Sequence, residues 1–175
     1  MKLFLVRHGE TTGDVESRYG GNYDDHLTDH GRKQLLETAK KLAGRDIQII
    51  FTSNLIRAKE SAEILSEQLG CEIETVEGVE ERNYGVLAGL TKTEAMELYP
   101  EAVEAHMNPE NTDPEGESFV DFQNRTLEAF KGIFSRNYST VVVVSHGGPL
   151  KQVLKYVDLP IPEKIGDGEI IEVTV

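Results

Sequence analysis

A chain of 175 residues is one domain's worth of sequence, and the 38% that is hydrophobic suffices for a sizeable core. Lys and Arg number 18 against 31 Asp and Glu, a formal charge of −13 at pH 7. That excess argues against nucleic acid or an anionic membrane surface as a partner, because both carry the same sign. A small anionic substrate in a locally basic pocket stays open. The single cysteine, Cys71, excludes an internal disulfide framework and any CxxC site. The apolar start, Met1 to Val6, is too short for a signal peptide, and no run approaches a membrane span. The expected compartment is the cytosol.

Along the chain, short Val- and Ile-rich runs alternate with helical patterns. Leu3 to Val6 reads as a buried strand. Leu35, Leu36, Ala39, Leu42 and Ala43 share one helical face, and Ile47 to Phe51 follows as a second strand. Asn54 is placed to cap a helix carrying Leu55, Ala58, Ala62, Leu65 and Leu69. Glu72 to Val76 alternates like a more exposed strand. Thr91 with Glu94 and Ser118 with Asp121 have capping-box spacing, each before a helix. Val141 to Val144 predicts a central strand buried on both faces, with Pro149 in the first turn of a helix to about Val157. Ile170 to Val175 closes the series as a last strand. The alternation predicts an α/β three-layer sandwich, with a mostly parallel central sheet and helices on both faces, as a single domain over 1–175. Residues 93–128 hold ten acids and one base, Arg125, a net −9. This acidic segment is expected to act as a lid, and Asn108 to Gly116 inside it reads as a surface loop.

Ligands of such sheets bind beyond the carboxyl ends of the strands. Two strand ends are conspicuous there: Arg7-His8-Gly9-Glu10, and Ser145-His146-Gly147-Gly148 after the valines. Either histidine alone reads as an ordinary imidazole bonded to backbone. Together they converge on one pocket. Val6 to Thr11 resembles the signature of the histidine phosphatase superfamily, the phosphoglycerate-mutase-like fold. The likeness continues in order through Tyr19 to Asp24, Leu27 to Gly31, Thr52 to Ala58, Glu81 to Gly85, Gly116 to Ser118 and Val144 to Gly148.

The resemblance implies roles. His8 is the nucleophile that forms a phosphohistidine. Arg7 and Arg57 clamp the phosphoryl group with guanidinium forks, and His146 is a third cationic partner. Glu81 is the general acid and then the base toward water. Gly21, Asn22, Arg82, Tyr84, Lys92 and Gly147 face the substrate, with Arg82 and Lys92 suited to a carboxylate. No metal or other cofactor is expected. His26, His30 and His106 match no catalytic position and read as surface or loop residues.

Asp14 departs from the pattern, since the family often carries asparagine there. A carboxylate 4 Å from phosphate is repelled by about 4 kcal/mol at an effective dielectric of 20. Asp14 therefore turns away, is protonated, or binds a further cation. The expected activity is hydrolysis of a small phosphomonoester. A mutase dependent on 2,3-bisphosphoglycerate is the alternative, disfavoured by the acidic segment, and a non-catalytic phosphate-binding protein ranks third. The expected partner is the substrate alone, with the protein a monomer or homodimer.

Overall fold

The computed structural model describes residues 1–175. Its order is β1 (Lys2–Arg7), α1 (Thr12–Val15), α2 (Asp29–Leu42), β2 (Ile49–Thr52), α3 (Ile56–Leu69), β3 (Glu72–Thr75), α4 (Lys92–Leu98), α5 (Pro100–His106), α6 (Phe119–Phe134), β4 (Thr140–Ser145), α7 (Gly147–Tyr156) and β5 (Ile170–Thr174). The strands form one sheet in the order β3-β2-β4-β1-β5. All neighbours are parallel except β5, which runs antiparallel to β1.

Alternate residues of a strand face opposite sides of the sheet, and both sides are filled. Leu3, Leu5, Val141 and Val143 pack with Phe130 and Ile133 of α6 and with Leu150 and Val153 of α7. Phe4, Val6, Val142 and Val144 pack with Leu35, Ala39 and Leu42 of α2 and with Ala58, Ala62 and Leu65 of α3. The three expected layers are therefore present. Each fully buried valine of β4 contributes about 1.5–3 kcal/mol of apolar burial. No helix is long and apolar enough to cross a membrane.

The Thr91–Glu94 capping box forms as spaced, while at Ser118 the hydroxyl accepts the Asp121 N–H without the reciprocal bond. Pro149 lies in the first turn of α7. Two local readings change. Asn54 does not cap α3, because Asp24 Oδ1, from a distant loop, accepts the Ile56 N–H at 2.9 Å. Pro100 splits the helix after Thr91 in two, ending α4 at Leu98 and opening α5 at its first position. The loop over 108–116 lies at the surface as expected, exposed at 108–112 and 114–115, and is tethered from within. Arg82, only 6% exposed, donates to the carbonyls of Pro109 at 2.6 Å, Asn111 at 2.5 Å and Glu117 at 2.9 Å.

Strand order also locates the crevice. The strand after β1, β2, lies beyond β4, while the strand after β4, β5, lies beyond β1. The chain thus leaves the two central strands in opposite directions, the arrangement that opens a binding crevice at their carboxyl ends. Arg7 pairs with Ser145 in register, so His8 and His146 emerge side by side.

Candidate active site

His8 continues β1 through its N–H to Ser145 O at 3.1 Å. Its Nδ1 lies 2.8 Å from Gly9 O, and a carbonyl only accepts, so Nδ1 carries the hydrogen. The lone pair is left on Nε2, which receives Arg57 Nε at 3.3 Å. The same Nε–H is shared with His146 Nδ1 at 3.3 Å. His146 therefore carries its hydrogen on Nε2, donated to Ser53 Oγ at 2.7 Å. The two ring centroids are 5.1 Å apart.

Arg57 lies on the buried face of α3, with Ala58, Ser61, Ala62 and Leu65. Three of its four terminal N–H groups donate to Asp25 Oδ1 at 2.9 Å, Tyr23 O at 2.7 Å and Gly21 O at 2.8 Å, which leaves one on Nη2 for an anion. Arg7 is held by Ile165 O at 2.8 Å and by the Asp167 carboxylate at 3.0 Å. Glu81 accepts the Arg82 N–H at 2.9 Å on one oxygen and the Gly148 N–H at 3.0 Å on the other. A Cβ on Gly148 would fall 2.1 Å from Glu81 Oε1, so only glycine lets the carboxylate approach the start of α7 this closely.

Burial first, and then the Arg57 charge, hold both imidazoles well below the usual histidine value of 6.5. His8 therefore keeps its lone pair in mildly acidic solution. That direction runs against the cationic role expected of His146, since a proton there would join the Arg57 charge in a buried site. This has a cost in stability. The unfolded chain protonates these histidines near 6.5 and the folded chain does not, so stability is lost as pH falls below that value.

Two cavities meet here. The smaller, about 220 Å³, is lined by His8, Arg7, Arg57, Asp14, Gly21 and Tyr23, among others. The larger, about 380 Å³, runs toward His106, Asn108, Phe119, Lys151, Gln152 and Lys164. Arg7, Glu81, Tyr84 and Gly147 line both. Of the residues expected at the substrate, Gly21, Tyr84, Gly147 and Asp14 stand at this double cavity. Two do not. Lys92 packs its ammonium over the Tyr19 ring, 3.0 Å from the centroid, and Asn22 lines a separate polar cleft with Asn54 and Asn83. Arg82 borders the larger cavity, but its guanidinium is spent on the loop carbonyls.

The acidic segment also differs from expectation. None of its ten carboxylates lines either cavity, and of them the buried Asp113 comes nearest, behind His106 and acting on Tyr84. His106, expected at the surface, instead borders the larger cavity. Asp113 Oδ2 holds its Nδ1 at 2.8 Å, and its ring meets Tyr84 edge-on. Asp25 and Ser53, the anchors of Arg57 and His146, went unsingled because nothing local marks them; their partners lie 32 and 93 residues away.

Releasing the loop that Arg82 holds tests its contribution. Arg82→Ala is expected to raise KM about tenfold through the three lost charge-assisted bonds, with a smaller change in kcat. Steady-state kinetics decide; an unchanged KM would show that the tether does not shape the larger cavity.

A buried imidazole with a free lone pair, two guanidinium groups beside it and a carboxyl group at the mouth of a second cavity define a site for phosphoryl chemistry. The chain belongs to the histidine phosphatase superfamily (branch 1), whose family model matches residues 3–166. It is 33% identical to a metal-independent phosphoserine phosphatase of Arabidopsis thaliana, over 99% of this chain and 74% of that protein. It is also 33% identical to a 2,3-bisphosphoglycerate-dependent phosphoglycerate mutase of Parvibaculum lavamentivorans, covering 89% of this chain and 79% of the relative. Among solved structures, a mycobacterial glucosyl-3-phosphoglycerate phosphatase in complex with VO3 superposes with a TM-score of 0.82 at 26% identity, covering 99% of this chain and 90% of that one.

Proposed function

We propose that the protein hydrolyses phosphomonoesters of small metabolites through a phosphohistidine on His8. The observation that carries this reading is the position of Glu81, which lines both cavities. With the phosphoryl group in the smaller cavity and the alcohol part in the larger, the bridging oxygen lies at their junction, beside this carboxyl. His8 Nε2 attacks phosphorus, the bond to the bridging oxygen breaks, and Glu81 in its protonated form supplies that oxygen's proton. Water then attacks the phosphohistidine, Glu81 takes the water's proton, and the P–N bonding pair returns to Nε2. Arg7 and Arg57 neutralise the equatorial oxygens throughout, the task a metal ion performs elsewhere, and the reading needs no metal. The free Cys71 supports the cytosol as the working compartment.

Turnover of p-nitrophenyl phosphate by micromolar enzyme across pH 4 to 8 tests the reading, and no turnover anywhere in that range would sink it. Activity should persist at pH 5, since His8 stays neutral well below 6.5. Glu81→Gln should cost about 10²–10⁴-fold in kcat on an alkyl ester. The loss should be much smaller on p-nitrophenyl phosphate, whose leaving group needs no proton; equal losses on both would remove Glu81 from the acid's role.

The mutase reading is favoured by the Parvibaculum relative and by two lysines, Lys151 and Lys164, on the larger cavity. Against it, the arginine that borders this cavity beyond Arg7 is Arg82, already bonded to three carbonyls. A second phosphate finds no guanidinium fork there. Conversion of 3-phosphoglycerate to its 2-isomer with a trace of bisphosphoglycerate, faster than release of inorganic phosphate, would establish a mutase instead.

A further inference from the structure

The smaller cavity seats an anion, yet a carboxylate forms part of its wall. Asp14 stands there with His8 and Arg57. Its Oδ2 is fixed by the Thr11 backbone N–H at 2.9 Å and the Thr11 hydroxyl at 2.8 Å. Its Oδ1 is 3.7 Å from Arg7 Nη2. A phosphoryl oxygen bonded to that nitrogen lies within roughly 6.5 Å of Oδ1. Swinging away would break both bonds to Thr11, the residue that starts α1.

The surrounding charges do not cancel this carboxylate. Arg57 is already paired with Asp25 at 2.9 Å, and Arg7 with Asp167 at 3.0 Å. Arg18, on the same wall, is paired with Glu16 and Glu94. Glu81 also lines this cavity, and burial with the Arg57 charge disfavours protonation of both imidazoles. The Tyr23 hydroxyl, pushed up to about 12 by burial and then by Asp25, also stays neutral. Burial raises Asp167 above the usual carboxylate range, Arg7 and Lys164 oppose the rise, and Asp14 and Glu10 add to it. A phosphate dianion thus meets a seat whose arginines each already face a nearer carboxylate, with Asp14 and Glu81 as further carboxyl groups on its lining.

We propose that Asp14 makes phosphate binding proton-coupled: the seat takes a phosphoryl group together with one solvent proton, held between Asp14 Oδ1 and a phosphoryl oxygen. No bond to phosphorus changes in this step. The inference rests on the reading above only in taking the smaller cavity as the phosphate seat. Asp14 thereby sets the charge state of the substrate. With the second ionisation of a phosphate ester near about pH 6, the seat favours the monoanion and sheds phosphate as pH rises.

The test is titration calorimetry of the whole protein with inorganic phosphate, at pH 5 and pH 8, in buffers of differing ionisation enthalpy. At pH 8 the wild-type protein should take up about one proton on binding, and D14N close to none. D14N should also bind phosphate roughly tenfold or more tightly at pH 8, with a change of less than about threefold at pH 5. Asn keeps an oxygen for the Thr11 N–H; D14S, which keeps a hydroxyl there, replaces it if D14N does not fold. Absence of proton uptake by the wild type, uptake undiminished in the variant, or no phosphate binding at either pH overturns the proposal. Bound phosphate without p-nitrophenyl phosphate turnover overturns the phosphatase reading alone. Turnover without proton-coupled binding overturns this inference alone.

Discussion

His8→Ala should reduce phosphomonoester turnover by about 10⁴-fold or more while the protein stays folded. The size of the effect follows from geometry. The Nδ1 hydrogen points at Gly9 O, so the one free lone pair of the ring is on Nε2, in the smaller cavity beside Arg57. No other side chain of that cavity substitutes. His146 also has a lone pair, on Nδ1, shared with the same Arg57 Nε–H, but its ring does not line the smaller cavity as His8 does. Circular dichroism and thermal melting should show a native fold, because His8 lies at the end of β1 and outside the hydrophobic core clusters. The readouts are turnover and an acid-labile, alkali-stable phosphoprotein trapped in the wild type and missing from the variant. Near-wild-type rates in H8A would remove His8 as the nucleophile.

Arg57→Ala should be the most damaging single change, because it strikes activity and stability together. Arg57 and Asp25 have side chains 4% and 6% exposed, and their ion pair spans 2.9 Å. Removing the guanidinium leaves a buried carboxylate without its partner, a loss of about 3–5 kcal/mol. It also leaves the Gly21 and Tyr23 carbonyls without their donor. Activity should fall by about 10³-fold or more, since a preorganised donor to the phosphoryl oxygens is gone. The double variant Arg57→Ala with Asp25→Asn separates the two effects. Its melting temperature should recover most of the loss, because no charge is left buried alone, while activity should stay as low as in R57A. Recovery of activity with stability would mean that Arg57 only supports the fold.

The layers of the fold were legible because they depend on local sequence. Four valines in a row need apolar packing on both faces, and they have it. The spacings of Thr91 with Glu94 and of Ser118 with Asp121 set helix starts without help from elsewhere. His8 and His146 were legible for a related reason: each follows a strong strand, and parallel pairing of those strands brings their ends together. What stayed hidden depends on distant chain. Asp24 takes the capping role that Asn54 was positioned for, across 32 residues. Arg82 stands where a substrate-facing arginine was expected, but carbonyls 27, 29 and 35 residues away claim its guanidinium. The acidic run was visible as composition, whereas the direction its carboxylates face was not. His106 lacks a local signal altogether, since its place at the larger cavity comes from Asp113 and Tyr84.

The pairing of β1 with β4 also fixes when the site can come into being. Lys2 pairs with Thr140 and Arg7 with Ser145, so the two strands that carry the histidines are separated by most of the chain. At about 5–20 residues per second of synthesis, the first strand waits roughly 7–30 s for its central neighbour. In that interval Leu3 to Val6 is an unpaired apolar edge, and α2 and α3 have no complete sheet to cover. Contacts this far apart in sequence slow folding, because loop closure precedes the gain from pairing. The catalytic pocket thus cannot form before this pairing, and a nascent chain short of β4 carries His8 without a site around it.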